Sequence, residues 1–135
     1  MKARIQILFC VPLLLLLTSC YPGTRFEVVN HTPQVLTIVS MDTELKETAY
    51  SVPPAQTVRI AVPYKLRVEY AGKAWNYDLP RTPAPKEFRK PVGGNWYLEK
   101  YQIESDGKIY ALLPDTQGPA VTLPEQPTGF PVRPK

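Results

Sequence analysis

The chain has 135 residues, with 16 basic against 12 acidic side chains, 16 prolines, two cysteines and one histidine. That length holds a single domain, and a net charge of +4 spread along it leaves no footprint for nucleic acid. One histidine, two cysteines and scattered carboxylates offer no ligand spacing that converges on zinc or calcium, and His31 is the one possible base for a histidine-dependent triad.

The chain opens on a short positive segment, Met1 to Arg4, followed by Ile5 to Leu17, which is apolar apart from Gln6 and interrupted by Pro12. This is the layout of a secretory signal. A helix over that run would be roughly 20 Å long, short of the ~20 residues that a bilayer span needs. The run ends in Leu17-Thr18-Ser19-Cys20, which resembles the lipobox of bacterial lipoprotein precursors. The resemblance implies cleavage between Ser19 and Cys20, a diacylglyceryl thioether on the Cys20 sulfur and acylation of the new amine. Two or more chains turn marginal membrane binding into stable anchoring. Tyr21 stands where enteric lipoproteins retained at the inner membrane have Asp, so the resemblance implies the outer membrane, facing the periplasm. Residues 20–23 are then a lipidated tether, and the covalent lipid is the only group expected on the chain. Cys10 would leave with the signal and Cys20 would carry lipid, so no disulfide is expected in the remainder.

Residues 24–113 read as an all-β domain. Thr24 to Val29 alternates with Phe26 and Val28 on one side, Asn30 to Pro33 is a turn, and Gln34 to Ser40 is rich in β-branched residues, which predicts a hairpin. Met41 to Tyr50 is polar and acidic, with weak helical or irregular character. After the turn at Ser51 to Gln56, Thr57 to Val62 points Val58, Ile60 and Val62 inward and Arg59 outward. Beyond Pro63, Tyr64 to Tyr70 points Leu66, Val68 and Tyr70 inward and Lys65, Arg67 and Glu69 outward. Ala71 to Lys73 reads as a tight turn into a strand with Trp75, Tyr77 and Leu79 on one face.

Residues 80–94 hold four prolines and read as a long surface crossover, since proline cannot donate within a central strand. Asn95 to Glu104 and Lys108 to Leu113 flank Ser105-Asp106-Gly107 and form a hairpin apolar on both faces. From Pro114 to the C-terminus, six prolines predict an extended or disordered tail. The whole predicts one small antiparallel sandwich or barrel of six or seven strands. The Asn-x-Thr turn and the Pro-Pro-Ala-Gln-Thr turn before a charged-out strand resemble small immunoglobulin-like domains of exported bacterial proteins. That likeness implies a fold and no activity.

Two surface features are candidate binding sites. Exposed rings, with Trp75, Tyr77, Trp96 and Tyr97 foremost, could stack on sugars or pack on a protein partner. Arg59, Lys65 and Arg67 could share the outward face of neighbouring strands, able to meet anionic headgroups or an acidic polymer. The proline-rich segment around Phe130 could also dock in a partner's aromatic groove. His31 reads as a solvent-exposed turn residue, and Glu27, Glu69, Asp78, Glu99 and Glu104 read as solvated sheet carboxylates. The expectation is a non-enzymatic, lipid-anchored envelope protein with a structural or interaction role, its partner a membrane protein complex or the cell wall. The alternative is a small glycan- or lipid-binding module using its aromatic side chains.

Overall fold

A computed structural model describes residues 23–61, 63, 65–80 and 82–135; the signal segment, the lipobox with Ser19 and Cys20, and most of the tether lie outside the described residues. Nine strands are described: β1 (Gly23–His31), β2 (Leu36–Met41), β3 (Glu47–Val52), β4 (Thr57–Ala61), β5 (Lys65–Tyr70), β6 (Lys73–Tyr77), β7 (Arg89–Pro91), β8 (Trp96–Glu104) and β9 (Ile109–Leu112). They form two sheets, β4-β1-β8 with β7 and β9 sharing the far side of β8, and β3-β2-β5-β6. The chain is therefore an all-β sandwich, not a closed barrel. All pairs are antiparallel except β1 with β8, which run parallel over their full length.

The period-2 pattern puts Phe26, Val28, Ile60, Tyr101, Ile103, Ile109 and Ala111 on the inner face of the first sheet, against Leu36, Ile38, Val52, Leu66, Val68 and Tyr77 of the second. The predicted hairpin between the first two strands does not form. β1 lies in one sheet and β2 in the other, and the Asn30–Pro33 turn carries the chain between them. Asn30 is fully buried there; its Nδ2 donates to Gln34 O and Val52 O, both at 2.8 Å, and its Oδ1 accepts the Thr32 N–H at 2.8 Å. The stretch read as weakly helical or irregular is the β2–β3 hairpin, closed by Asp42, whose Oδ1 accepts the N–H groups of Glu44 and Lys46.

The 80–94 segment is not confined to the surface. Its 3-10 turn, Lys86–Phe88, inserts Phe88 into the core beside the buried Ala84, and β7 pairs with β8. Glu99, read as a solvated carboxylate, is buried at 4% exposure: its Oε1 accepts the Ala84 N–H at 3.0 Å and its Oε2 accepts the Tyr101 hydroxyl.

The proline-rich tail has no regular secondary structure, yet it packs along the domain. It crosses the outer face of the first sheet, where Gln102 exchanges hydrogen bonds with Ala120 N–H and O and Lys100 Nζ donates to Thr116 O. It then covers the free edge of β9: the Gln126 amide bonds both backbone groups of Ala111, and Val132 exchanges N–H and O with Ile109 at 2.9 Å. Phe130 turns inward and stacks on Tyr101 at 5.3 Å between centroids, extending a column begun by Phe26 at 4.8 Å. Finally the Lys135 N–H donates to Asn76 O on β6, so the strap ties the edge of one sheet to the edge of the other. A sheet edge left open presents unpaired backbone groups to other chains, and here β9's edge is occupied.

Burial holds the Tyr77 and Tyr101 hydroxyls well above the ordinary tyrosine range; the carboxylates of Asp106 and Glu99, respectively, push further the same way. Both hydroxyls are donors, Tyr77 to Gly107 O at 2.7 Å and Tyr101 to Glu99. In the unfolded chain they ionise near pH 10, so above that pH the folded state retains protons that the unfolded state releases and stability falls. Urea unfolding should show stability fully present below pH 10 and then lost at up to about 2.7 kcal/mol per pH unit, since each such tyrosine contributes about 1.4. Tyr77→Phe should halve that slope; a slope unchanged by the substitution would contradict the assignment.

Candidate functional site

The residues expected to form a basic face are dispersed by the fold. Arg59 is on β4 in the first sheet, whereas Lys65 and Arg67 are on β5 in the second, because the chain passes between sheets around Pro63. Arg59 lies 3.8 Å from Glu27, its partner across β1 and β4, and Arg67 lies 3.3 Å from Glu69. Acidic neighbours therefore divide the charge that the outward pattern in the sequence gathers into one patch.

The aromatic residues are divided as well. Tyr77 is buried at 3% exposure and belongs to the core, so it offers no ring to a ligand. Trp75 is half-buried, tilted against Tyr70 at 5.3 Å and packed over Gly107, where positive φ and the indole together require a residue without a side chain. Trp96 stands at the opposite end of β8. Eight residue steps separate Trp96 from Glu104, the strand end next to Gly107, so the two indoles sit on the order of 26 Å apart. They form no common platform.

Trp96 is instead the centre of a compact group at the end of the sandwich where β1 begins. It is 45% exposed, and Val92, across the tight turn closed by the Val92 N–H to Trp96 O bond, is equally exposed. Trp96 pairs with Gly23 across the parallel ladder, and its indole covers that glycine so closely that a Cβ would overlap the ring. The Arg25 guanidinium lies 5.0 Å from the Trp96 ring centroid, and Arg89 lies 5.0 Å from that of Tyr97, which is half-buried on the inner face. Lys90, beside them on β7, pairs with Asp115 at 2.7 Å. Among the described residues no carboxylate pairs with Arg25 or Arg89. The outward placement of Arg25 was legible from strand alternation; its stacking on Trp96 depends on the parallel pairing of segments about 70 residues apart, for which no local signal exists.

His31, expected in an exposed turn, is the last residue of β1 and half-buried. Its Nδ1 lies 2.8 Å from Glu104 Oε1, and the Gln102 amide donates to the same oxygen at 2.7 Å. A nucleophilic triad needs a carboxylate on one imidazole nitrogen and a nucleophile on the other. Among the described residues no hydroxyl or thiol is bonded to this ring, and Gln102 links the pair to the tail at Ala120. No group of three His, Cys, Asp or Glu side chains among the described residues could hold a metal ion. A shallow groove of about 570 Å³ between the 3-10 turn and the tail is lined by Phe88, Leu113, Pro127, Glu87 and Glu125 among others. It brings together no set of polar groups suited to a reaction.

Compared with known proteins, the chain matches no family model, no curated protein and no solved structure.

Proposed function

We propose that this chain is a non-enzymatic, lipid-anchored β-sandwich of the bacterial envelope, with a structural or interaction role at the periplasmic face of the outer membrane. The observation that carries the reading is the lipobox Leu17-Thr18-Ser19-Cys20 lying immediately before β1, with three residue steps between Cys20 and Gly23. Three steps span at most about 10 Å, so acyl chains on Cys20 would hold the domain against the leaflet. The partner would be a membrane protein complex or the cell-wall polymer. The second reading, a glycan- or lipid-binding module, is favoured by the exposure of Trp96 but loses the cooperation of Trp75.

Expression of the precursor beside Cys20→Ala, with labelled palmitate supplied, tests the anchor. Label and outer-membrane density are expected for the wild type and neither for the variant. Unlabelled wild-type protein free in the periplasm would overturn the proposal.

A further inference from the structure

We propose that the end of the sandwich bearing Trp96, Val92 and Arg25 seats in the headgroup layer of an anionic phospholipid leaflet, so that the domain is docked on the membrane rather than swinging from its tether. The proposal rests on the anchoring read from Cys20, and it names the surface by which the anchored domain meets the lipid.

Three observations converge on this end. The first is position. Trp96 covers Gly23, the first residue of β1, so the exposed indole is within about 10 Å of chain reach from Cys20. Each headgroup region is itself on the order of 5–8 Å thick, the difference between the ~30 Å hydrocarbon core and the ~40–45 Å bilayer divided between two faces. A tether this short leaves the indole no route far from that layer.

The second is chemistry. Trp side chains are enriched at membrane interfaces, where an apolar ring meets an apolar phase and the indole N–H meets a wet one. Trp96 and Val92 are two of the large apolar side chains left exposed by the fold, and the 92–95 turn presents them side by side.

The third is charge. Arg25 is exposed and held beside Trp96 without a described carboxylate partner, leaving its cationic group available to phosphate. Arginine matches phosphate bidentately while remaining stacked on an aromatic face. Arg59 and Arg67, by contrast, are each beside a glutamate. At the edge where Trp96 and Arg25 stand together, an anionic leaflet is thus the occupant that the surface complements.

The test uses the full-length protein purified from membranes and reconstituted in phosphatidylcholine vesicles containing phosphatidylglycerol, all with brominated acyl chains. Bromine quenches only indoles that reach the interface. The chain has two tryptophans, so the wild type should lose about half its emission, whereas Trp96→Phe, which leaves Trp75 packed over Gly107, should lose almost none. Arg25→Glu should reduce the quenching of the wild-type pair, and vesicles lacking phosphatidylglycerol should do the same. Flotation of the same samples reads the anchor separately. Vesicle-bound protein with unquenched Trp96 would overturn docking while the anchor stands. Protein that carries no lipid yet is quenched on mixing with anionic vesicles would support docking while the anchor falls. Protein neither bound nor quenched would overturn both.

Discussion

A chain ending at Leu113 is expected to lose cooperative unfolding at 25 °C, although it retains all nine described strands. Without the tail, the buried amide of Gln102 loses both hydrogen bonds to Ala120, Lys100 loses Thr116 O, and the free edge of β9 loses Val132 and Gln126. The uncovered groups meet water, so each lost hydrogen bond costs a net of about 0.5–1.5 kcal/mol. Tyr101 loses the ring stacked on it, opening the core column at one end. Small domains are stable by about 5–15 kcal/mol, so these losses together reach the scale of the whole. The milder variant Phe130→Ala should cost about 2–4 kcal/mol, somewhat below the range for a fully buried phenylalanine because this ring is half-buried. Thermal melts of both variants check this; a truncated chain melting with the wild type would show the strap to be dispensable.

Asn30→Ala should be the most damaging single polar substitution in the domain, at about 3–4 kcal/mol. The side chain is fully buried and makes three hydrogen bonds of 2.8 Å, to Gln34 O, Val52 O and the Thr32 N–H. Alanine leaves those backbone groups facing a small void at the point where the chain leaves one sheet for the other, and such penalties exceed the net gain of forming the bonds. Asn30→Asp should be no better, since it retains the acceptor for Thr32 but replaces the donors to two carbonyls with a buried charge. Urea unfolding at pH 7 measures both, and a loss under about 1 kcal/mol for Asn30→Ala would refute the role assigned to this side chain.

Much of the fold was legible in the residues. The alternation of Leu66, Val68 and Tyr70 with charged neighbours, the Ala71-Gly72 turn and the Asp106-Gly107 turn all mark local antiparallel pairs, and those hairpins are present. Alternation states which side chains face inward but not which sheet a strand joins. The β1–β2 hairpin was misread for that reason: Asn30 to Pro33 looks the same as a hairpin turn until the partners of the Asn30 amide are known. β3 escaped notice because it is an edge strand with only Tyr50 and Val52 turned inward, too few for a visible period. Ala84 and Phe88 were hidden among prolines that mark a loop but do not state its depth.

The candidate site was legible in its residue types rather than its grouping. The loss of the basic face follows from Pro63, where a reading of consecutive outward charges assumes neighbouring strands and the chain changes sheets. Trp96 was singled out, but with Trp75 as its companion. Its actual neighbours, Gly23, Arg25 and Val92, come from parallel pairing and a Gly-Gly turn that composition does not announce. The tail offered Phe130 as an evident apolar side chain, while the role of Gln126 and Gln102 as amide clasps is invisible without the fold.

The mass of the N-terminal peptide decides whether the sandwich hangs from Cys20, as we propose. Protein extracted from the membrane fraction and digested should yield a peptide beginning at Cys20 with the added mass of a diacylglyceryl group, and of a further acyl chain where the amine is modified. A peptide beginning at any other residue, or Cys20 recovered as a free thiol, would mean that the domain is not anchored through Cys20.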